Sequence, residues 1–367
     1  MKLLAPNVGW AMNLGRLMWT SNGGTEWEDI TPPAATGAMI SAVFFLDANH
    51  GWVLFAHEEP DVPGALQFDL VSTDNAGAAW SAPLTIIKGG GSGAVFAGAG
   101  WLAFADSEHG WLALGSGRTF VGHGGLIATS DGGRSWVSPR HPAHRHGDAS
   151  LAGPMVMVTP QFGWLVGGGA NDELLVTRDG AKTWQRIELE SPVKTDQMRE
   201  YDRNFEQFES SFQALPPAAA KLARERAQEE DHSYAAYDLP TFEDPKHGYV
   251  CVTYPGVVVL FATKDGGVTW KPDRVLTGLQ EHSEGEKVVS AMADSTWITG
   301  RVPKDAMPQL RKLGPGASAT DSTMPAPEAS GVSQMSFATA NQGWIVTNES
   351  KLLATNDGGA TWTDITP

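Results

Sequence analysis

The chain has 367 residues, including 14 tryptophans, 42 glycines and a single cysteine, Cys251, and its net charge is −16. That charge excludes a general basic surface for nucleic acid or an anionic membrane, and one cysteine excludes an intramolecular disulfide. No apolar run reaches membrane-spanning length, and the opening MKLLAPNVGW has too short an apolar region for a signal peptide.

Read from the N-terminus, two short elements alternate. The first is an apolar strand end, a polar turn, then Gly and an aromatic residue: LLAPNVGW (Leu3–Trp10), FLDANHGW (Phe45–Trp52), FADSEHGW (Phe104–Trp111), VTPQFGW (Val158–Trp164), FEDPKHGY (Phe242–Tyr249) and FATANQGW (Phe337–Trp344). The second is Thr, any residue, Asp or Asn, any residue, Gly or Ala, two residues, Trp. It spans Thr20–Trp27, Thr73–Trp80, Thr129–Trp136, Thr177–Trp184, Thr263–Trp270 and Thr355–Trp362. Its acidic or amide position is Asn22, Asn75, Asp131, Asp179, Asp265 and Asp357. That side chain accepts hydrogen bonds from its own turn, the Gly permits a positive φ, and the Trp buries a large ring. Ala181 stands where Gly is expected, so the fourth turn is predicted to be strained.

Each unit reads as strand, GW turn, strand, loop, strand, Asx turn, strand, which is one blade of a propeller. Six full units cover 2–31, 40–83, 100–139, 153–189, 238–276 and 332–367. Val288–Gly300 and Gln309–Leu313 read as a seventh unit without the Asx turn. The expectation is therefore an all-β, seven-bladed propeller of four-stranded antiparallel blades, with six blades and a long insertion as the alternative. The whole chain, 1–367, forms one domain, because a closed ring overrides the length prior.

Two stretches interrupt the repeat. Within 190–240, Met198, Tyr201, Phe205, Phe208, Phe212 and Leu215 follow a three/four spacing, which predicts an amphipathic helix ended by Pro216 and Pro217. A second helix follows over Ala218–Glu230, making a helical hairpin between blades four and five. Packing on the propeller, a lid and a docking element are the three uses such a hairpin has. The stretch 301–331 reads as an irregular insertion.

The Asx turns are those of Asp-box (BNR) repeats. With the paired GW element, the chain resembles the propellers of photosystem II assembly and stability factors and their non-photosynthetic bacterial relatives. This resemblance implies a non-catalytic binding or assembly scaffold, exported from the cytoplasm. It covers nearly the whole chain outside the insertions.

Eleven of the tryptophans belong to the two repeated elements and Trp297 to the equivalent strand of the seventh unit, leaving Trp19 and Trp101, so their abundance does not argue for a sugar site. Length variation falls on the loops of the opposite face: His57–Gln67, Gly115–Gly125, Arg140–Ser150, the 190–240 stretch and Gly314–Ser330. Variable loops on a rigid scaffold are where binding sits. The expected contacts there are Trp101, Arg118, His123, Arg140, Tyr234, Tyr237 and Tyr254. His141, His144, His146 and Asp148 have undemanding spacing on a Pro- and Gly-bearing loop, so no metal is assigned, and no cofactor either. His50, His109 and His247 sit in GW turns and read as structural. The run Gly89–Gly93 lacks the Lys of a phosphate loop.

An enzyme is the second reading. A sialidase requires an arginine cluster, yet only Arg16 precedes the first Asx turn. Other glycosidases require two carboxylates at a set separation, for which Glu58, Glu59, Asp61 and Asp148 are placed only by lying on the right loops. The expected partner is a protein or a glycan, and the expected state is a monomer.

Overall fold

Short runs rich in Val, Leu, Trp and Phe, each bounded by Gly, Asp or Asn, leave little alternative to strands joined by tight turns. The computed structural model describes residues 1–58, 66–87, 100–114, 125–138, 153–168, 171–221, 235–277, 288–291, 296–300, 309–313, 322–325 and 331–367. Every strand pairing within them is antiparallel, and within each sheet consecutive strands hydrogen-bond in chain order, except that β16 passes over β17 to pair with β18.

The first sheet holds β1 (Lys2–Ala5), β2 (Val8–Asn13), β3 (Arg16–Thr20) and β4 (Glu28–Asp29). The second holds β5 (Met39–Phe45), β6 (Gly51–Glu58), β7 (Leu66–Thr73) and β8 (Leu84–Ile87). The third holds β9 (Gly100–Phe104), β10 (Gly110–Leu114) and β11 (Gly125–Thr129), with a single bridge from Ala128 to Val137 in place of a fourth strand. The fourth holds β12 (Met155–Met157), β13 (Gly163–Gly167), β14 (Glu173–Thr177) and β15 (Gln185–Ile187). In the next, β16 (Ala236–Tyr237) and β17 (Thr241–Phe242) both pair with β18 (Gly248–Tyr254), followed by β19 (Val257–Thr263) and β20 (Lys271–Thr277). Then come β21 (Val288–Ala291), β22 (Thr296–Gly300), β23 (Gln309–Leu313) and β24 (Ser322–Pro325). The last sheet is β25 (Val332–Phe337), β26 (Gly343–Thr347), β27 (Leu352–Thr355) and β28 (Thr363–Asp364).

Six of these sheets are blades of the repeat, each with an Asx turn after its third strand, in a propeller arrangement. Six is the number of the alternative reading rather than of the seven-bladed one. The β21–β24 sheet lacks that turn. Two sequence boundaries change. Strands β23 and β24 lie inside 301–331, so that stretch is not wholly irregular. Residues 236 and 237 pair with β18, so the 190–240 insertion ends before them.

The core is a series of layers between successive sheets. Trp10, Leu17 and Trp19 pack on Phe45, Val53 and Phe55. Leu54, Phe68 and Leu70 pack on Leu102, Phe104 and Leu112. Ala113 and Leu126 meet Met155, Leu165 and Leu175, and Val166, Leu174 and Val176 meet Val250, Val252 and Val259. Leu3 and Ala11 pack on Trp344, Leu352 and Ala354, so the first and last sheets meet in the same way. The Trp27 and Trp344 rings pack at a tilt with their centroids 5.6 Å apart, and Trp27 Nε1 donates to the Ile365 carbonyl at 2.8 Å. Asn13 donates to the Pro367 carbonyl across the same seam. The ring is joined there by side chains and not by a strand shared between the two sheets.

Candidate functional site

The two repeated elements interlock on one face. In each Asx turn the Thr hydroxyl donates to the Asx Oδ1, at 2.8 Å for Thr129, Thr263 and Thr355. The Thr oxygen in turn accepts the N–H four residues on, at 2.8–2.9 Å for Gly133, Gly267 and Gly359. These Thr side chains are buried. Two successive residues have positive φ: Gly23 and Gly24, Ala76 and Gly77, Gly132 and Gly133, Gly180 and Ala181, Gly266 and Gly267, Gly358 and Gly359. The N–H of the first donates to the GW turn of the same blade: Gly23 to Asn7, Ala76 to Asn49, Gly132 to Glu108, Gly180 to Gln161, Gly266 to Lys246 and Gly358 to Asn341. The GW-turn tryptophan then reaches the following blade. Trp52 Nε1 donates to the Gly132 carbonyl at 2.9 Å and Trp111 Nε1 to that of Gly180 at 3.2 Å.

His50, His109 and His247 each pair through Nδ1 with the Asp three residues earlier, Asp47, Asp106 and Asp244. The same Asp accepts the turn's backbone N–H groups. Hydrogen bonds from His247 and from the Lys246 and His247 backbone hold the Asp244 carboxyl down at about 2. These imidazoles serve the turns, as their position in the repeat implies.

The opposite face carries the elaborations. Helix α1 (Asp196–Ser211) begins at Thr195, whose hydroxyl accepts the Met198 N–H at 3.1 Å. The same hydroxyl donates to the Pro255 carbonyl at 2.6 Å, docking the helix on the β18–β19 turn. Met198 is buried in the layer between the fourth sheet and the β18–β19 sheet. A 3₁₀ turn, Phe212–Ala214, closes the helix, and Phe212 is buried. Residues 217–221 are helical again, and the remainder of the expected second helix lies outside the described residues. The apolar stripe divides: Met198 and Phe212 are covered, whereas Tyr201, Phe208 and Leu215 are exposed, Phe208 by 50 %.

Three of the expected contact residues, Trp101, Tyr237 and Tyr254, lie among the described residues. Arg118, His123, Arg140 and Tyr234 lie outside the described residues, as do His141, His144, His146 and Asp148. Trp101 is half-buried in β9 and packs on the layer between the third and fourth sheets. Tyr237 and Tyr254 are each 4 % exposed. The Tyr254 hydroxyl donates to the Leu189 carbonyl, and the Leu189 N–H donates to the Tyr237 hydroxyl at 3.3 Å. The pair anchors the chain entering the insertion.

One polar cluster on this face belongs to no repeat. In the second sheet, His57 Nε2 lies 2.7 Å from Asp69 Oδ2, and Gln67 Nε2 donates to Asp69 Oδ1 at 2.9 Å and to Thr85 Oγ1 at 3.0 Å. The Asp69 side chain is 8 % exposed and the His57 ring 32 %. Burial alone would raise the Asp69 carboxyl, but hydrogen bonds from His57, Gln67 and Thr85 outweigh it and hold it below the ordinary value. The bond to Asp69 raises His57 against the desolvation that would lower it. The alternation of β6 places His57 and Phe55 on one face, but nothing in the sequence pairs His57 with Asp69 specifically.

No family model matches the chain, and no curated protein does. Among solved structures, it is similar to the uncharacterised protein lmo1340 of Listeria monocytogenes EGD-e. That likeness has a TM-score of 0.53 at 8 % identity and covers 99 % of this chain and 92 % of that one. It is also similar to AFV00434, an ancestral GH74 enzyme, with a TM-score of 0.52 at 13 % identity, over 100 % of this chain and 45 % of that one. A structure of YCF48 bound to D1 peptide matches with a TM-score of 0.49 at 17 % identity, over 89 % and 82 % of the two chains. At these identities the first two likenesses show the fold alone.

Proposed function

We propose that the chain is a non-catalytic binding or assembly scaffold that holds a protein partner on the face carrying α1. The observation behind this reading is the division of labour between the faces. On one, Asx and GW turns occupy each other's hydrogen-bonding groups. On the other, α1 is seated on the β18–β19 turn and leaves Tyr201, Phe208 and Leu215 exposed. The six turns are read as Asp boxes.

Affinity capture tests the binding reading. The intact chain is compared with a variant in which a short linker replaces 194–234, keeping Tyr237 in β16, and with the double variant Phe208→Asp/Leu215→Asp. A partner retained by the intact chain and lost by both variants is expected. Equal recovery by all three, or turnover of a glycan by the intact chain, overturns the reading. The described residues give no second observation in favour of a glycosidase.

A further inference from the structure

The His57–Asp69 cluster sits at the end of the second blade that faces away from the Asx turns. Strand β6 pairs with β7 in continuous register from Gly51–Thr73 to Glu58–Leu66. On its other edge β7 meets an irregularity in β8: Phe68 pairs with Ile87 but Asp69 with Thr85, so Ile86 is the additional residue. A bulge re-aims side chains, and here Gln67, Asp69 and Thr85 come together at it. An unpaired carboxylate at this depth is costly, and pairing it with a cation offsets that cost. The neutral amide of Gln67 and the ring of His57 both reach Asp69, and only the ring can carry a charge. The second ring nitrogen, Nδ1, lies 3.1 Å from the Glu58 carbonyl, so a ring protonated on both nitrogens donates to both oxygens.

We propose that the His57–Asp69 pair is a protonation-dependent latch: imidazolium His57 ties β6 to β7 at this end of the second blade, and neutral His57 loosens it. Neutral imidazole has one N–H, so it keeps Asp69 or Glu58 and loses the charge that offsets the buried carboxylate. Among the described residues, Asp69 is the charged group acting on His57, and Glu58 contributes its backbone carbonyl. Gln67 and Thr85 are neutral. On the neighbouring blade, Arg16 is paired with Asp29 at 3.1 Å.

The sign follows from both partners. His57 is raised above 6.5 in the fold, so its contribution is complete below 6.5 and is lost as pH rises through the raised value. Asp69 is lowered below 3.8, so its contribution holds above 3.8 and is lost as pH falls through the lowered value. The latch is closed between these limits and opens on the alkaline side without acid unfolding.

Ring-proton NMR on the full chain tests this, with His57→Gln assigning the resonance. His57 is expected to titrate above 6.5, and in Asp69→Asn at or below it. Hydrogen exchange, corrected for intrinsic rates, is then compared at about pH 6 and about pH 9. Protection of the Gln67 and Asp69 amides, which lie opposite His57 and Phe55 in the β6–β7 register, is expected to fall by about tenfold in the unsubstituted chain, the worth of a charge-assisted hydrogen bond, while that of Val53 and Val71 holds. In His57→Gln, protection is expected to be low at both values. A His57 titration at or below 6.5 in the unsubstituted chain overturns the proposal. So does equal protection of Gln67 and Asp69 at the two pH values, a result that needs no Asp69 variant to fold.

Discussion

At the Asx turn, the buried threonine hydroxyl does as much as the acidic residue for which the motif is conspicuous. Thr177 is fully buried, donates to Asp179 and accepts the Ala181 N–H at 2.8 Å. Thr177→Val keeps the shape and removes both bonds, leaving a buried N–H unsatisfied. A loss of about 2–4 kcal/mol is expected from chemical denaturation. Two left-handed residues per turn explain a second expectation. Ala76 and Ala181 both have positive φ, which a Cβ disfavours by about 1 kcal/mol. Ala76→Gly is expected to stabilise by up to about that amount. Ala181→Gly is expected to be nearly neutral, because the Ala181 methyl is fully buried in the layer it would leave. This refines the strain predicted at Ala181: the strain is present, and packing offsets it. The reverse change, Gly267→Ala, brings a Cβ within 2.2 Å of the Trp164 ring at a φ of +75°, and a loss of at least about 2 kcal/mol is expected in the same assay.

At the scale of the element, the turns and the helix respond to different variables. Asp265 and Asp357 are held at about 2 by hydrogen bonds from Thr269 and Thr361, side chain and backbone, and from the turn threonine. Their folded value lies below the usual 3.8, so their contribution is present above 3.8 and is lost as pH falls through about 2. The thermal midpoint is expected to drop over that interval. Asp265→Asn, which copies the residue type of the first two turns, is expected to make the drop shallower. The helix was legible as a stripe of helical period, but the stripe did not say how much of it is covered. Thr195 as N-cap and the Pro255 carbonyl as its second partner are 60 residues apart in sequence, and only the docked geometry joins them.

At the scale of the molecule, stability rests on layers between blades, and the layer between first and last blades carries the closure. Trp344 is buried there, against Gly9 and Trp27. Trp344→Ala is expected to cost about 3–5 kcal/mol and to broaden the denaturation transition, because a ring opened at one seam loses cooperativity between its ends. By itself the sequence determined the repeating unit, the turn chemistry and the face on which length varies. Those depend on residues within a few positions of one another, where spacing alone dictates the contact. Only the tertiary structure decided what lies between units. It set the reach of Trp52 to Gly132, the burial of Tyr237 and Tyr254 beneath the insertion, the pairing of His57 with Asp69, and the closure of the first sheet on the last. Each of these is a contact across sheets or strands, set by packing and register that no local pattern records.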